Sequence, residues 1–448
     1  MPDTLEEAMV TTPDVSVDPL DVLAAKIRER EATTAVLGLG YVGLPLLVAI
    51  SQAGFPVIGI DRDEGKIETL NTKRSHIVDI SDSEIAGLHD AVFSANPGPL
   101  AGADIVILCL PTPLTDGAPD LTMVLTAGED AARYLRPGVL VVLESTTYPG
   151  TTEELLRPIL EDTGLVAGKD FALGYSPERI DPGNKDHALG TIPKIVSGLT
   201  ERCRDLGVSF YSQFVHTVAV TSTPREAEMA KLIENTFRQV NIALVNELAI
   251  LANDLGVDIW ESLAAAATKP FGYMPFWPGP GVGGHCISID PTYLSWRAGQ
   301  QLGYRIEFIE HANEVNNRMP DYVVRRVGEA LNDHGKPIKG SKILGVGVAF
   351  KSGVNDLRES PSLAVLERLA EKGAEVSFHD SFVPSVRIGS SERQSVALEP
   401  EVVATQDVVV ILTPHADLDI QALVNRAALV FDTRGVTSGL DAPNVVRL

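Results

Sequence analysis

The chain is poor in cysteine and in positive charge. Its 448 residues include three cysteines, Cys109, Cys203 and Cys286. That is too few for a disulfide framework, and an odd number leaves at least one thiol free. The sequence therefore predicts a reducing, cytoplasmic setting. Lysine and arginine number 37 against 60 aspartates and glutamates, for a formal net charge of −23. Such a balance argues against nucleic acid or an anionic membrane as the main partner. A phosphate-bearing ligand would need local cations or helix N-termini. No apolar run approaches the roughly 18 residues that span a bilayer. The first residues carry no basic segment followed by an apolar one, so they do not read as a signal peptide. They are acidic up to Lys26 and predict a disordered tail leading into a short helix over 20–31. No Cys-x-x-Cys or His-x-x-x-His pair is present, and no metal site is expected.

What is present is ordinary for a globular protein, with 44% apolar and 22% charged residues. The length suggests about three domains. Thr34 to Leu37 reads as a buried strand entering a glycine turn, and helical character follows over 44–52. Phe55 to Asp61, Ala103 to Leu110 and Val139 to Leu143 read as further strands. Alternation of this kind predicts a parallel, doubly wound sheet. From Pro224 to about Gly256 apolar residues recur at helical spacing without glycine or proline, which predicts a helix of around 30 residues. Further helices are predicted over 259–267 and 304–331. So long a helix needs a partner surface, which suggests a dimer core. The last third repeats the first: Lys342 to Gly347, Ala374 to Asp380 and Gln406 to Pro414 echo the earlier strands. The expected architecture is α/β, with two Rossmann-like doubly wound domains joined by a central helical domain. Its boundaries are an N-terminal tail and helix (1–32), a dinucleotide-binding domain (33–222), a helical domain (223–334) and a second Rossmann-like domain (335–448).

Gly38-x-Gly40-x-x-Gly43 follows a strand, opens a helix, and has Asp61 at the end of the next strand. This context fits a dinucleotide fingerprint. The glycines permit a tight turn and close pyrophosphate approach, and the helix N-terminus supplies donors. Asp61 accepts ribose hydroxyls and repels a 2′-phosphate, which favours NAD over NADP, although Arg62 stands beside it. The second domain has Phe350-Lys351 where a third glycine would sit, leaving a lysine for another phosphate ligand.

The stretch Gly279-Pro280-Gly281-Val282-Gly283-Gly284-His285-Cys286 presents a thiol behind glycines that let backbone approach a ligand. A thiol so placed, in a chain with a dinucleotide fingerprint, suggests oxidation through a covalent thioester. A buried structural thiol is the plain alternative. His285 either lowers the thiol pKa or hydrogen-bonds a neighbour. Asp290 either activates water or caps a helix starting near Pro291. Lys231 and Asn235 lie one helical turn apart on one face, but spacing alone makes Lys231 an ordinary solvated charge. Glu178, in Ser176-Pro177-Glu178-Arg179, is an acid-base candidate or a surface carboxylate. Cys109 reads as core and Cys203 as a bystander.

Taken together these motifs resemble the UDP-glucose/GDP-mannose dehydrogenase family, from about Thr33 to the C-terminus. The resemblance implies NAD as cofactor, a UDP-sugar as substrate and a homodimer or higher oligomer. It implies Cys286 as the thiohemiacetal and thioester nucleophile. Lys231, helped by Asn235, would stabilise oxyanions. Asp290 would assist water in hydrolysis, with Glu178 and a water on Thr146 handling protons. Cofactor contacts would come from Gly38, Gly40, Tyr41, Val42, Gly43, Asp61, Arg62, Lys66, Thr112, Thr146 and Arg358. Substrate contacts would come from Glu178, Arg179, Lys231, Asn235, Gly283, Lys351 and Arg434. The segment Tyr175 to Asn184 and the Gly283-Gly284-His285-Cys286 run look like the UDP-N-acetylhexosamine branch, and the stretch Ala265 to Gly272 looks closest to UDP-N-acetylglucosamine 6-dehydrogenases. Ser288 replaces a proline usual in that branch, which is expected to loosen the backbone between Cys286 and Asp290.

Overall fold

A computed structural model describes residues 18–77, 79–88, 90–179, 190–284 and 286–448. The predicted tail, His285 and most of the branch motif after Arg179 lie outside these residues. The first helix, α1 (Pro19–Glu29), is capped by Asp18 and buries Leu20, Leu23 and Ile27. Those side chains join the core of the first sheet, so the helix packs as part of that domain.

The first sheet contains β1 (Thr34–Leu37), β2 (Val57–Ile60), β3 (Val92–Ser94), β4 (Ile105–Leu108), β5 (Leu140–Leu143), β6 (Ala172–Tyr175), β7 (Lys194–Gly198) and β8 (Val218–Val220). Their spatial order is β8-β7-β6-β5-β4-β1-β2-β3. All neighbours are parallel except β6 and β7. Strands β1, β4 and β5 are buried on both faces, as covered parallel strands must be. Ala35 and Leu37 enter one core while Val36 enters the other, following the two-residue period of a strand. The order reverses between β1 and β4, and ligands of such sheets bind at the strand ends there.

The second sheet contains β9 (Lys342–Val346), β10 (Glu375–His379), β11 (Val408–Ile411), β12 (Val430–Asp432) and β13 (Val445–Arg447). It is parallel throughout, ordered β10-β9-β11-β12-β13. Between the sheets lies α4 (Pro224–Asp254), a 31-residue helix with Pro224 in its first turn and a Thr223–Glu226 capping box. A proline early in a helix costs no hydrogen bond. Helices α5 (Ile259–Ala267), α6 (Asp290–Leu302) and α7 (Glu307–Asp333) pack around it. Val245 and Ala249 of α4, Val323 and Val327 of α7, and Ile343 and Val410 of the second sheet share one core. Helical domain and second sheet are therefore welded by a continuous apolar interior.

Candidate active site

The glycine turn after β1 has the geometry its spacing predicts. Gly38 lies at φ +90°, and a Cβ there would meet the Cys109 carbonyl oxygen at 2.3 Å. A Cβ on Gly43 would come within 1.9 Å of the Gly38 oxygen. Gly40 has nothing within 4 Å of a built Cβ, which leaves its backbone open to a pyrophosphate. Asp61 accepts from the amides of Leu39 (2.9 Å) and Asp63 (3.0 Å) and from Lys66 Nζ (3.0 Å). Burial opposes its charge, but these donors outweigh it and hold the carboxyl below its usual range. Arg62 instead pairs with Asp130 at 3.0 Å. The Tyr41 hydroxyl donates to Asn355 of the second Rossmann-like domain at 3.4 Å, so the turn touches that domain directly. Val42 begins the helix α2 (Gly43–Gln52). Thr112 is buried, and its hydroxyl donates to the Thr146 carbonyl at 2.9 Å. Tyr293 of α6 donates to the Thr112 carbonyl.

Helix α4 carries a polar stripe into the cleft. Lys231, Asn235, Gln239 and Asn246 are all buried, so Lys231 is no solvated charge. Asn235 Nδ2 donates to Asp290 Oδ2 at 2.5 Å. Asn246 donates to Asn316 at 2.9 Å and accepts from the Gly279 amide at 3.0 Å, anchoring the start of the cysteine loop. Asp290 is the first residue of α6 and makes no side-chain cap. Its carboxyl faces Asn235 and Lys231, and burial drives it up to about 7 against their pull.

Cys286 reaches solvent within the cleft. Desolvation pushes its thiol up to about 11, helped by Asp290 and resisted by Lys231 and Arg358. The glycines before it serve contact. A Cβ on Gly283 would come within 2.7 Å of the Glu359 oxygen and 2.8 Å of Phe350 Cβ. Gly284, at φ +80°, would meet the Phe350 ring at 2.7 Å, and its amide donates to the Arg358 carbonyl. Ser288 does not merely loosen this segment. Its hydroxyl donates to the Gly284 carbonyl at 2.5 Å, and the Asp290 amide donates to the Cys286 carbonyl at 2.9 Å. Two hydrogen bonds thus close the turn that a proline ring would stiffen.

Arg358 is held by a two-pronged pair with Asp356, at 3.0 and 2.6 Å. Lys351 is half-buried in the loop after β9. Arg434 donates to the Leu412 carbonyl at 2.9 Å. It lines a cavity of about 580 Å³ with Trp260 and Trp277, whose rings stack at 6.2 Å. That aromatic pair is invisible to local sequence pattern, because its members lie in separate segments. Glu178 is buried, while Arg179 is committed to Glu234 (2.7 Å) and the Pro193 carbonyl (2.6 Å). Also unforeseen were Glu144 and Lys194, a fully buried ion pair at 2.7 Å behind Glu178. Among the described residues no group of three or more His, Cys, Asp or Glu gathers to hold a metal ion. Nor is any described helix long and apolar enough to cross a membrane.

A cleft of this kind, between a complete dinucleotide turn and a buried lysine, amide and carboxylate beside an exposed thiol, is that of a dinucleotide-dependent oxidoreductase. Family models cover most of the chain: the NAD-binding domain matches residues 32–215, the central domain 225–318 and the UDP-binding domain 344–439. The protein belongs to the UDP-glucose/GDP-mannose dehydrogenase family and is an NAD-dependent oxidoreductase. It is 39% identical over 357 residues to UDP-N-acetyl-D-glucosamine 6-dehydrogenase of Pseudomonas aeruginosa, covering 79% of this chain and 84% of that one. It is 37% identical over 414 residues to protein CapL of Staphylococcus aureus, covering 90% and 95%. The structure of the UDP-D-ManNAc dehydrogenase of Pyrococcus horikoshii superposes with a TM-score of 0.84 at 32% identity, covering 93% and 98%.

Proposed function

We propose that the protein oxidises the C6 hydroxyl of a UDP-sugar to the carboxylate, with UDP-N-acetyl-D-glucosamine the preferred sugar. The observation that carries this reading is the buried set of Lys231, Asn235 and Asp290 beside an accessible Cys286. A two-electron alcohol dehydrogenase has no use for that thiol. The sugar assignment leans on the 39% identical relative's name.

NAD, when bound, supplies the hydride acceptor. The residues of the chain account for the remainder. Lys231 and Asn235 stabilise negative charge as it develops on the substrate oxygen, where shielding from water makes such donors effective. Glu178 takes the hydroxyl proton, with Thr146 placing a water. Once C6 has given up its first hydride, Cys286 adds its sulfur to the resulting aldehyde and its proton passes to the aldehyde oxygen, giving a thiohemiacetal and keeping the aldehyde from escaping. Loss of a second hydride and a proton leaves a thioester. Asp290 draws a proton from water, which attacks that carbonyl and returns the thiol. A carboxyl near pH 7 is well matched to this work. Asp61 and Lys66 address the adenosine ribose, Arg358 reaches the cofactor, and Lys351 and Arg434 address the UDP-sugar. The stacked Trp260 and Trp277 beside Arg434 offer aromatic faces and a guanidinium for a nucleotide.

Two copies are proposed to pair through α4. Ile233, Phe237, Leu244, Leu248 and Leu251 are large apolar residues left exposed along it, and Leu255 continues the stripe just past its end, a surface that water disfavours.

Counting NADH across a panel of UDP-sugars tests the reading. Two NADH per UDP-N-acetylglucosamine are expected. One per sugar would point to a two-electron enzyme, and none with any UDP-sugar would overturn the proposal.

A further inference from the structure

Behind Glu178 lies a charged cluster that the chemistry above does not use. Strand β7 runs antiparallel to β6, so its first residue, Lys194, arrives beside the segment that leaves the end of β6. Lys194 Nζ lies 2.7 Å from Glu144 Oε2 and 4.0 Å from Glu178 Oε2. It also donates to the carbonyl of Pro177, the residue before Glu178, at 3.3 Å. Tyr211 of α3 (Glu201–Tyr211) donates to the other oxygen of Glu144. Ser176 donates to the Ile195 carbonyl at 2.7 Å. Both members of the pair are buried.

A buried ion pair is a poor source of stability, since desolvation consumes most of the attraction. An apolar pair would fill this space at no electrostatic cost. The cluster is better explained by what it does to its neighbour. Lys194 stands within 4.0 Å of each of the two carboxylates, Glu144 and Glu178. Burial works against the charge on Lys194, but Glu144 and Glu178 outweigh it and hold the ammonium above its usual range.

We propose that Lys194 is a positioning residue for the oxidation: it grips the turn that carries Glu178 and sets a cation beside that carboxylate. The inference rests on the reading of Glu178 as the group that takes the substrate proton. The charged and titratable groups acting with Glu178 are Lys194 from β7, Glu144 from the end of β5, Cys109 from the end of β4 and Cys286 from the loop before α6. The neighbouring Arg179 is paired to Glu234 of α4.

The test is the pH dependence of NADH formation in a single turnover, with enzyme in excess over UDP-N-acetylglucosamine, so that thioester hydrolysis does not enter. Lys194→Met removes the cation 4.0 Å from Glu178, and the acidic limb is expected to move up. Glu144→Gln removes the competing carboxylate and leaves Lys194 to Glu178 alone, so the limb is expected to move down. Opposite displacements are a signature that loose packing does not produce. If Lys194→Met fails to fold, Glu144→Gln decides alone. Limbs that stay in place in the folded variants, while Glu178→Gln is slow, overturn the role of Lys194 and leave that of Glu178 standing. A Glu178→Gln enzyme at the wild-type rate overturns the reading of Glu178 itself.

Discussion

Asn235 of α4 donates its amide hydrogen to Asp290 of α6 across 2.5 Å, within one buried cleft. The contact joins the helix that carries Lys231 to the turn that carries Cys286. Three groups with opposed electrostatic needs are thereby fixed together. Asp290 raises the thiol pKa, Lys231 lowers it, and Asn235 favours the charged carboxylate.

Replacing Asp290 by Asn removes a negative charge that helps hold the thiol near 11. Alkylation follows the thiolate fraction, so iodoacetamide should label Cys286 faster at pH 8 in Asp290→Asn, roughly tenfold for each unit the pKa falls. Turnover should move the other way. The variant is expected to release about two NADH in a burst and then stall at the thioester, which mass spectrometry of the denatured protein would reveal as a sugar adduct. A slower alkylation rate would contradict the placement of Asp290 beside the sulfur.

The same carboxyl makes a prediction about stability. Its folded pKa of about 7 lies above the ordinary value of 3.8, so the folded state binds the proton more tightly than the unfolded state. That contribution is complete below about pH 4 and is lost as pH rises through about 7. Asp290→Asn escapes the penalty. The variant's melting temperature should exceed the wild type's by an amount that grows between about pH 4 and 7 and then levels off. Calorimetry at a series of pH values checks this, and a gap that is constant with pH would refute it.

Lys231→Met should cost roughly 10²–10³ in kcat, the scale for losing one donor to a developing oxyanion, while raising the thiol pKa. Slower alkylation of Cys286 together with slower NADH formation is the expected pair of results. Normal alkylation in a slow enzyme would separate Lys231 from the thiol.

Much of the fold could be read from residue order. The strand at Thr34, the helix from Pro224 and the echo of the first domain after Lys342 rest on local periodicity, which neighbours do not change. The site was only half legible. Cys286 and Asp290 announce themselves through glycines and spacing. Lys231 does not, because a lysine on a helix is solvated unless another element covers it, and here α6 brings Asp290 against it. Glu144 and Lys194 are further from view: they meet only because β7 runs antiparallel to β6, a crossover that no local pattern specifies. Arg179 illustrates the reverse, a cation in a recognised motif whose fork is taken by Glu234 of α4.

Gly283→Ala tests how closely the cysteine loop seats on the second Rossmann-like domain. The added carbon would lie 2.7 Å from the Glu359 oxygen and from Pro361 Cδ, inside any tolerated contact. Overpacking of this kind costs about 1–3 kcal/mol. A lower melting temperature and a raised KM for the UDP-sugar are expected, since the loop must retreat from the domain that binds the nucleotide. An unchanged KM would show that the loop can shift without moving the thiol.

The exposed side of α4 makes a prediction about assembly. Phe237 and Leu244 stand on the outward stripe, and Phe237 packs edge-on against Phe276 at 5.8 Å between ring centres. Burying such side chains against a second copy stabilises by about 1.5–3 kcal/mol each. A charge there has no partner and resists desolvation. Leu244→Glu should therefore shift the protein from dimer to monomer in sedimentation velocity, without exposing the buried Lys231 and Asn235 on the opposite face. Because those residues stay covered by α6, NAD binding to the monomer should persist. A wild-type protein that sediments as a monomer, or a Leu244→Glu variant that remains dimeric, would place the assembly surface elsewhere.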